Sequence, residues 1–204
     1  MTLRVNVAAA SLWIMRALGE FYENHPDIRL HLVCLDESPD HRSDDFDLEI
    51  RFGKAPWPGY ECHQLLDECV YPVASPSFLA DLGGVAADDL DRAPLLQAAN
   101  FSSPLMDWRS WGVTNLRMPL RRFTTYAMVL EAAVQGHGIA LGWHYYVRNV
   151  IAQGQLSALD IEPRRSAFCE YLVINPRSAN RRGVVAARKW LLDLARRERE
   201  PLRS

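Results

Sequence analysis

The sequence predicts an α/β fold of two Rossmann-like subdomains joined by two crossover strands. Three observations carry this expectation. Strand, helix and strand follow one another with short turns from Leu3 to Cys34, and such a βαβ unit favours a parallel, right-handed crossover. The same strand–helix alternation starts over after residue 86. Two extended stretches, one near Val73-Ala74-Ser75 and one from Tyr171 to Asn175, connect the halves. Residues 1–74 and 175–204 are therefore assigned to the first subdomain and 75–174 to the second. Two lobes on two strands make a hinge, and the cleft between such lobes is the expected place for a small ligand.

Leu3-Arg4-Val5-Asn6-Val7 alternates and is β-rich, so it is the first strand. Ser11 reads as a helix N-cap. From Leu12 the apolar residues Leu12, Met15, Leu18, Phe21 and Tyr22 recur at helical spacing until Pro26. Ile28 to Cys34 and Asp44 to Phe52 are strands. Gly53-Lys54-Ala55-Pro56-Trp57-Pro58-Gly59 is a rigid loop at a strand end, where open α/β sheets bind ligands. Tyr60 to Ala74 is a longer strand. Ser75 caps a short helix with Pro76 at its first position.

In the second half, Pro94 to Gln97 and Met118 to Phe123 are strands, and Asp107 to Trp111 is a helical turn. The focal stretch runs from Phe123 to Trp143. Thr124 and Thr125 cap a helix with Ala127, Leu130, Ala132, Ala133 and Val134 as its apolar stripe. Gly136 and Gly138 stop it on either side of His137. Ile139-Ala140-Leu141 then reads as a strand of a parallel sheet, buried on both faces. A helix spans Trp143 to Ala152, a strand Ala167 to Ile174, and a long helix Ser178 to Arg197 that returns to the first half.

Composition narrows the function. The 204 residues carry a formal net charge of −2, which gives no overall attraction to nucleic acid or membrane surfaces. No apolar run approaches a membrane span and no signal peptide is visible at Met1. A cytoplasmic location is expected. Cys34, Cys62, Cys69 and Cys169 are scattered without a C-x-x-C pair, the pattern of free thiols rather than a metal site. There is no G-x-S-x-G elbow, no P-loop and no G-x-G-x-x-G. His137 reads as a turn residue. No catalytic residue, metal or cofactor is expected.

Candidate ligand groups come first from chemistry. Helix starts at Ser11 and Thr125 present hydroxyls and free backbone N–H groups suited to a small anion. Each hydroxyl also reads as an ordinary cap, and both roles are compatible. Trp13, Trp57 and Trp143 suit an aromatic wall for a cationic or aromatic ligand. Trp13 equally suits the core or a dimer interface, and Trp57 the packing of its own loop. Arg51 suits a carboxylate ligand or a surface pair with Asp45 or Asp47.

Several segments together resemble the effector-binding domain of LysR-type transcriptional regulators. They are the helix from Ala10-Ser11 to Phe21-Tyr22-Glu23-Asn24-His25-Pro26-Asp27-Ile28-Arg29-Leu30, Asp45-Phe46-Asp47-Leu48-Glu49-Ile50-Arg51-Phe52-Gly53, Pro72-Val73-Ala74-Ser75-Pro76, and Glu131 to Leu141. Trp57-Pro58-Gly59 and Leu65-Leu66-Asp67-Glu68 resemble the branch of the glycine-cleavage regulator. The resemblance runs from about Leu3 to about Arg197. It implies a type 2 periplasmic-binding-protein-like fold and a small-molecule inducer in the cleft, such as a small anion, amino acid or quaternary amine. It implies contacts from Ala10, Ser11, Phe52, Gly53, Asn100, Thr124, Thr125 and Trp143. It further implies homodimers or homotetramers through the first helix and the helix after Thr125, and DNA binding only through a winged helix-turn-helix that precedes Met1 in a longer protein. The alternatives are a stand-alone solute-binding protein and a bilobal enzyme acting in the cleft.

Overall fold

The structure is a computed structural model that describes residues 1–35, 45–83, 87–99 and 103–199. The chain divides into two compact units, Met1–Asp67 with Ala167–Ser204, and Glu68–Ser166. In chain order, β1 (Thr2–Val5) leads into α1 (Val7–Ala9), a π-helical turn (Ala10–Ile14) and α2 (Met15–Asn24). Strands β2 (His31–Cys34), β3 (Leu48–Gly53) and β4 (Glu61–Ala74) follow, then α3 (Pro76–Asp81), β5 (Leu96–Ala98), β6 (Arg121–Phe123), α4 (Tyr126–Val134), β7 (Ala140–Trp143), α5 (His144–Ala152), β8 (Ser157–Ala158), β9 (Arg164–Ile174) and α6 (Arg182–Arg199). Short 3-10 turns at Ala87–Arg92, Pro104–Met106 and Trp108–Trp111 precede and follow β5.

In the first unit, β1 pairs in parallel with β2 and β3, and β3 pairs antiparallel with β9. The predicted N-terminal βαβ unit is therefore present. Its helix starts earlier than expected. Asn6, not Ser11, is the N-cap, and its side chain accepts from the Ala9 N–H at 2.7 Å. Ser11 lies a full turn inside, where its hydroxyl donates to the Val7 carbonyl at 2.8 Å. Asn is as good a cap as Ser, and the β-rich run hid it. Phe21 of α2 packs against Trp190 of α6 with ring centroids 4.8 Å apart, so the C-terminal helix belongs to this unit. Trp13 is 2 % exposed and belongs to the core.

In the second unit, β5 and β6 pair in parallel, and Leu95 bridges in parallel to Ile139. The expected parallel character of the 139–141 strand holds only there. β7 itself pairs antiparallel with β4, because β4 enters from the other unit in the opposite sense. All four β7 residues are buried. Ser75 caps α3 and accepts from the Phe78 N–H at 3.3 Å. Gly138 is required: its φ is +150°, and a Cβ there would lie 2.4 Å from the Pro94 carbonyl oxygen. Its neighbour His137 sits in the turn, with its N–H donating to the Ala132 carbonyl at 2.9 Å.

Candidate functional site

In the second unit the helix start after residue 123 is built as its sequence suggests. Thr125 is extended, with φ −120° and ψ 152°, and its hydroxyl accepts from the Met128 N–H at 3.3 Å. The Tyr126 and Ala127 N–H groups occupy the first helical positions, which have no acceptor inside the helix. Thr124 is exposed, and its hydroxyl lies 3.7 Å from the Met128 sulfur.

Behind this start sits a buried hydrogen-bonded group. The Tyr126 hydroxyl donates to the Leu141 carbonyl and accepts from the Trp143 N–H, each at 3.0 Å. Burial pushes the Tyr126 phenol well above its ordinary range, so it stays a neutral donor. The Trp143 indole N–H donates to Glu68 Oε1 at 3.0 Å, and Glu68 also accepts from the Ser166 hydroxyl. The Trp143 ring lies edge-on to Tyr126 at 4.9 Å. Thr125, Tyr126 and Trp143 are thus brought together, with the Trp143 indole N–H engaged by protein.

Beside them, Tyr71 of β4 meets His144 at the start of α5, with the hydroxyl 3.0 Å from Nδ1. Burial and then the Arg148 and Arg165 guanidinium groups hold His144 below its usual range. Burial and then Cys69 push Tyr71 up to about 12.

In the first unit, Ala10, Ser11 and Trp13 share the π-helical turn, a local irregularity found often at functional sites. Ala10 is buried and Ser11 exposed. The Trp57 ring lies beside Gly53 and fills the space a side chain would need: a Cβ on Gly53, whose φ is +153°, would meet the ring at 3.1 Å. Phe52 stacks on Phe168 at 5.6 Å. Arg51 does not pair with Asp45 or Asp47. Its guanidinium binds Glu49 at 2.5 and 3.2 Å and faces the Trp57 ring at 5.0 Å. Arg4 binds the same carboxylate at 2.7 Å. All three charged residues are at most 5 % exposed, because β1 and β3 are neighbours and place positions 4, 49 and 51 on one face. Asp47 instead accepts from the Thr2 N–H at 2.8 Å and from Arg181 at 3.3 Å. Asn100 and Asp44 lie outside the described residues.

The site residues that sequence reasoning missed are Asn6, Glu49, Glu68, Tyr71, Tyr126 and His144. Asn6 carried a signal as a cap-type residue just before a helical run. The others are contacts between elements distant in sequence, and nothing in their local spacing marks them. Among the described residues there is no group of three or more His, Cys, Asp or Glu able to hold a metal ion, and no helix is long and apolar enough to cross a membrane.

A family model described as the LysR substrate binding domain matches residues 1–196. The chain belongs to this family. It is 30 % identical over 206 residues to the glycine cleavage system transcriptional activator of Escherichia coli K12, covering 94 % of this chain and 63 % of that protein. It therefore spans less than two thirds of that relative's length. Among solved structures, it is similar to the effector domain of the transcriptional regulator AmpR of Pseudomonas aeruginosa, with TM-score 0.78 at 24 % identity over 97 % of this chain and 96 % of that one. It is also similar to the regulatory domain of CrgA of Neisseria meningitidis, with TM-score 0.80 at 20 % identity over 95 % and 97 %. These structures show the fold: mixed α/β, type 2 periplasmic-binding-protein-like, as the sequence predicts. The chain is thus a LysR substrate-binding domain.

Proposed function

We propose that this LysR-type domain senses a small polar metabolite and transmits its presence to DNA binding elsewhere in a longer protein. The effector is a small anion, an amino acid or a quaternary amine. It draws contacts from Ala10, Ser11, Phe52, Gly53 and Trp57 of the first unit and from Asn100, Thr124, Thr125 and Trp143 of the second, in the cleft that the family resemblance implies. The observation that carries this reading is the α4 start, where Thr125 caps one N–H and the next-earlier N–H groups remain for an anionic group. A zwitterionic amino acid has the carboxylate that such a start favours. The name of the Escherichia coli relative makes glycine the first candidate to test.

Binding shifts a pre-existing equilibrium of conformers. That shift alters packing between copies in a homodimer or homotetramer, and so the spacing of N-terminal DNA-binding heads. Such a regulator works in the cytoplasm. The test is a thermal-shift screen of glycine, the other protein amino acids, quaternary amines and small carboxylates. A bound ligand raises stability by RT ln(1 + [L]/Kd), and Thr125→Val weakens that response. A ligand response left unchanged by Thr125→Val removes Thr125 from the site. A screen in which no compound of these classes stabilises the protein overturns the assignment of the effector class.

A further inference from the structure

A buried carboxylate, Glu68, sits where both long strands pass into the second unit. It is the first residue of that unit on β4, and Ser166 is the last on β9. Glu68 is 1 % exposed. One of its oxygens accepts from Ser166 and the other from the Trp143 indole at 3.0 Å. Trp143 closes β7, and its backbone N–H donates to the Tyr126 hydroxyl at 3.0 Å. Tyr126 is the first residue of α4, directly after the cap Thr125. The hydrogen bonds and the chain therefore run without a break from Ser166 and Glu68 through Trp143 and Tyr126 to Thr125.

We propose that Glu68 is a positioning residue that ties the start of α4 to the two strands leading out of the unit. An isolated buried carboxylate is costly, and this one is offset by two hydrogen bonds from groups on different elements. A carboxylate acceptor strengthens each of these bonds relative to a neutral one. Tyr126 in turn is held by both β7 contacts, so it has little freedom to tilt without breaking one. A displacement of the α4 start is thereby transmitted to β4 and β9, the strands at which the second unit begins and ends. That the linkage begins at an effector contact rests on the reading of Thr125 given above.

Amide hydrogen exchange and NMR on the chain, without ligand, test the linkage. Ser166→Ala is the first variant because the residue is exposed and the change removes only a hydroxyl. The Trp143 indole N–H resonance shifts. Exchange at the Trp143, Val129 and Leu130 amides rises about five-fold or more, the factor that corresponds to 1 kcal/mol. The β5 amides of Leu96–Ala98 do not change. Ser166→Thr, which keeps the hydroxyl, restores the original pattern. From the other end, Tyr126→Phe shifts the indole resonance and speeds exchange around Ser166. Effects of Ser166→Ala that stop at Glu68 and the indole, with α4 unchanged, overturn the proposal. So does a uniform rise across the unit that Ser166→Thr does not reverse. Because no ligand is present, failure of the effector reading leaves this outcome intact, and failure here leaves the ligand screen intact.

Discussion

Thr125 has a structural duty that any functional test must include. Its hydroxyl accepts from the Met128 N–H, and removing an N-cap acceptor costs about 1 kcal/mol. Thr125→Val is therefore expected to lower the unfolding free energy of the ligand-free protein by that amount, and Thr125→Ser to restore it. Denaturant unfolding reads this directly, and equal stabilities of Val and Thr proteins refute the cap. Glu49 is a stronger case. It is 2 % exposed and is the shared partner of Arg4 and Arg51. Glu49→Ala leaves two buried guanidinium groups facing each other without it, and breaking such buried pairs costs about 3–5 kcal/mol. Unfolding of this variant at concentrations of urea that leave the parent folded is the expected outcome. Cap-type residues such as Thr125 were legible because capping is local. The Glu49 pairing was not, since it depends on β1 and β3 becoming neighbours 45 residues apart.

Elements inherit these local constraints. The turn that ends α4 needs Gly138, whose φ of +150° and 2.4 Å approach to the Pro94 carbonyl exclude a side chain. Gly138→Ala is expected to cost more than about 1 kcal/mol and to free Leu95 and Ile139 from their bridge. Faster amide exchange at Ile139, whose N–H donates to Pro94, reports it. The start of α5 carries a pH dependence. His144 faces Tyr71, Arg148 and Arg165, and its pKa is lowered first by burial and then by the two guanidinium groups. A base with a depressed folded pKa takes up its proton more readily when unfolded. Its contribution is thus intact above the ordinary value of 6.5 and is lost as pH falls below it toward the lower folded value. His144→Gln is expected to flatten that part of the stability profile, and an unchanged profile below pH 6.5 refutes the assignment. The helices and most strands were legible from periodicity. The π-helical turn at Ala10–Ile14 was not, because the apolar spacing of Leu12, Met15 and Leu18 is the same for an ordinary α-helix.

At the scale of the chain, the sequence pattern showed two βα halves but not how the long strands are shared. β4 begins in the first unit and ends in the second, and β9 does the reverse. Strand propensity marks such a run as extended and says nothing of where along it one core stops and the next starts. The sharing has a thermodynamic consequence. The second unit is one continuous segment, Glu68–Ser166, with its own buried residues in Leu95, Trp108, Val129, Ile139, Leu141 and Tyr146. The first unit needs two distant segments: β9 pairs with β3, and Trp190 of α6 packs on Phe21 of α2. Deleting residues 167–204 therefore removes a strand and a helix from the first unit and neither from the second. Hydrogen exchange of the truncated chain is expected to show lost protection throughout β1 and β3 and retained protection in β5, β7 and α4. Loss of protection in both sets together would mean that the second core depends on the first, and that folding of this domain is a single cooperative event.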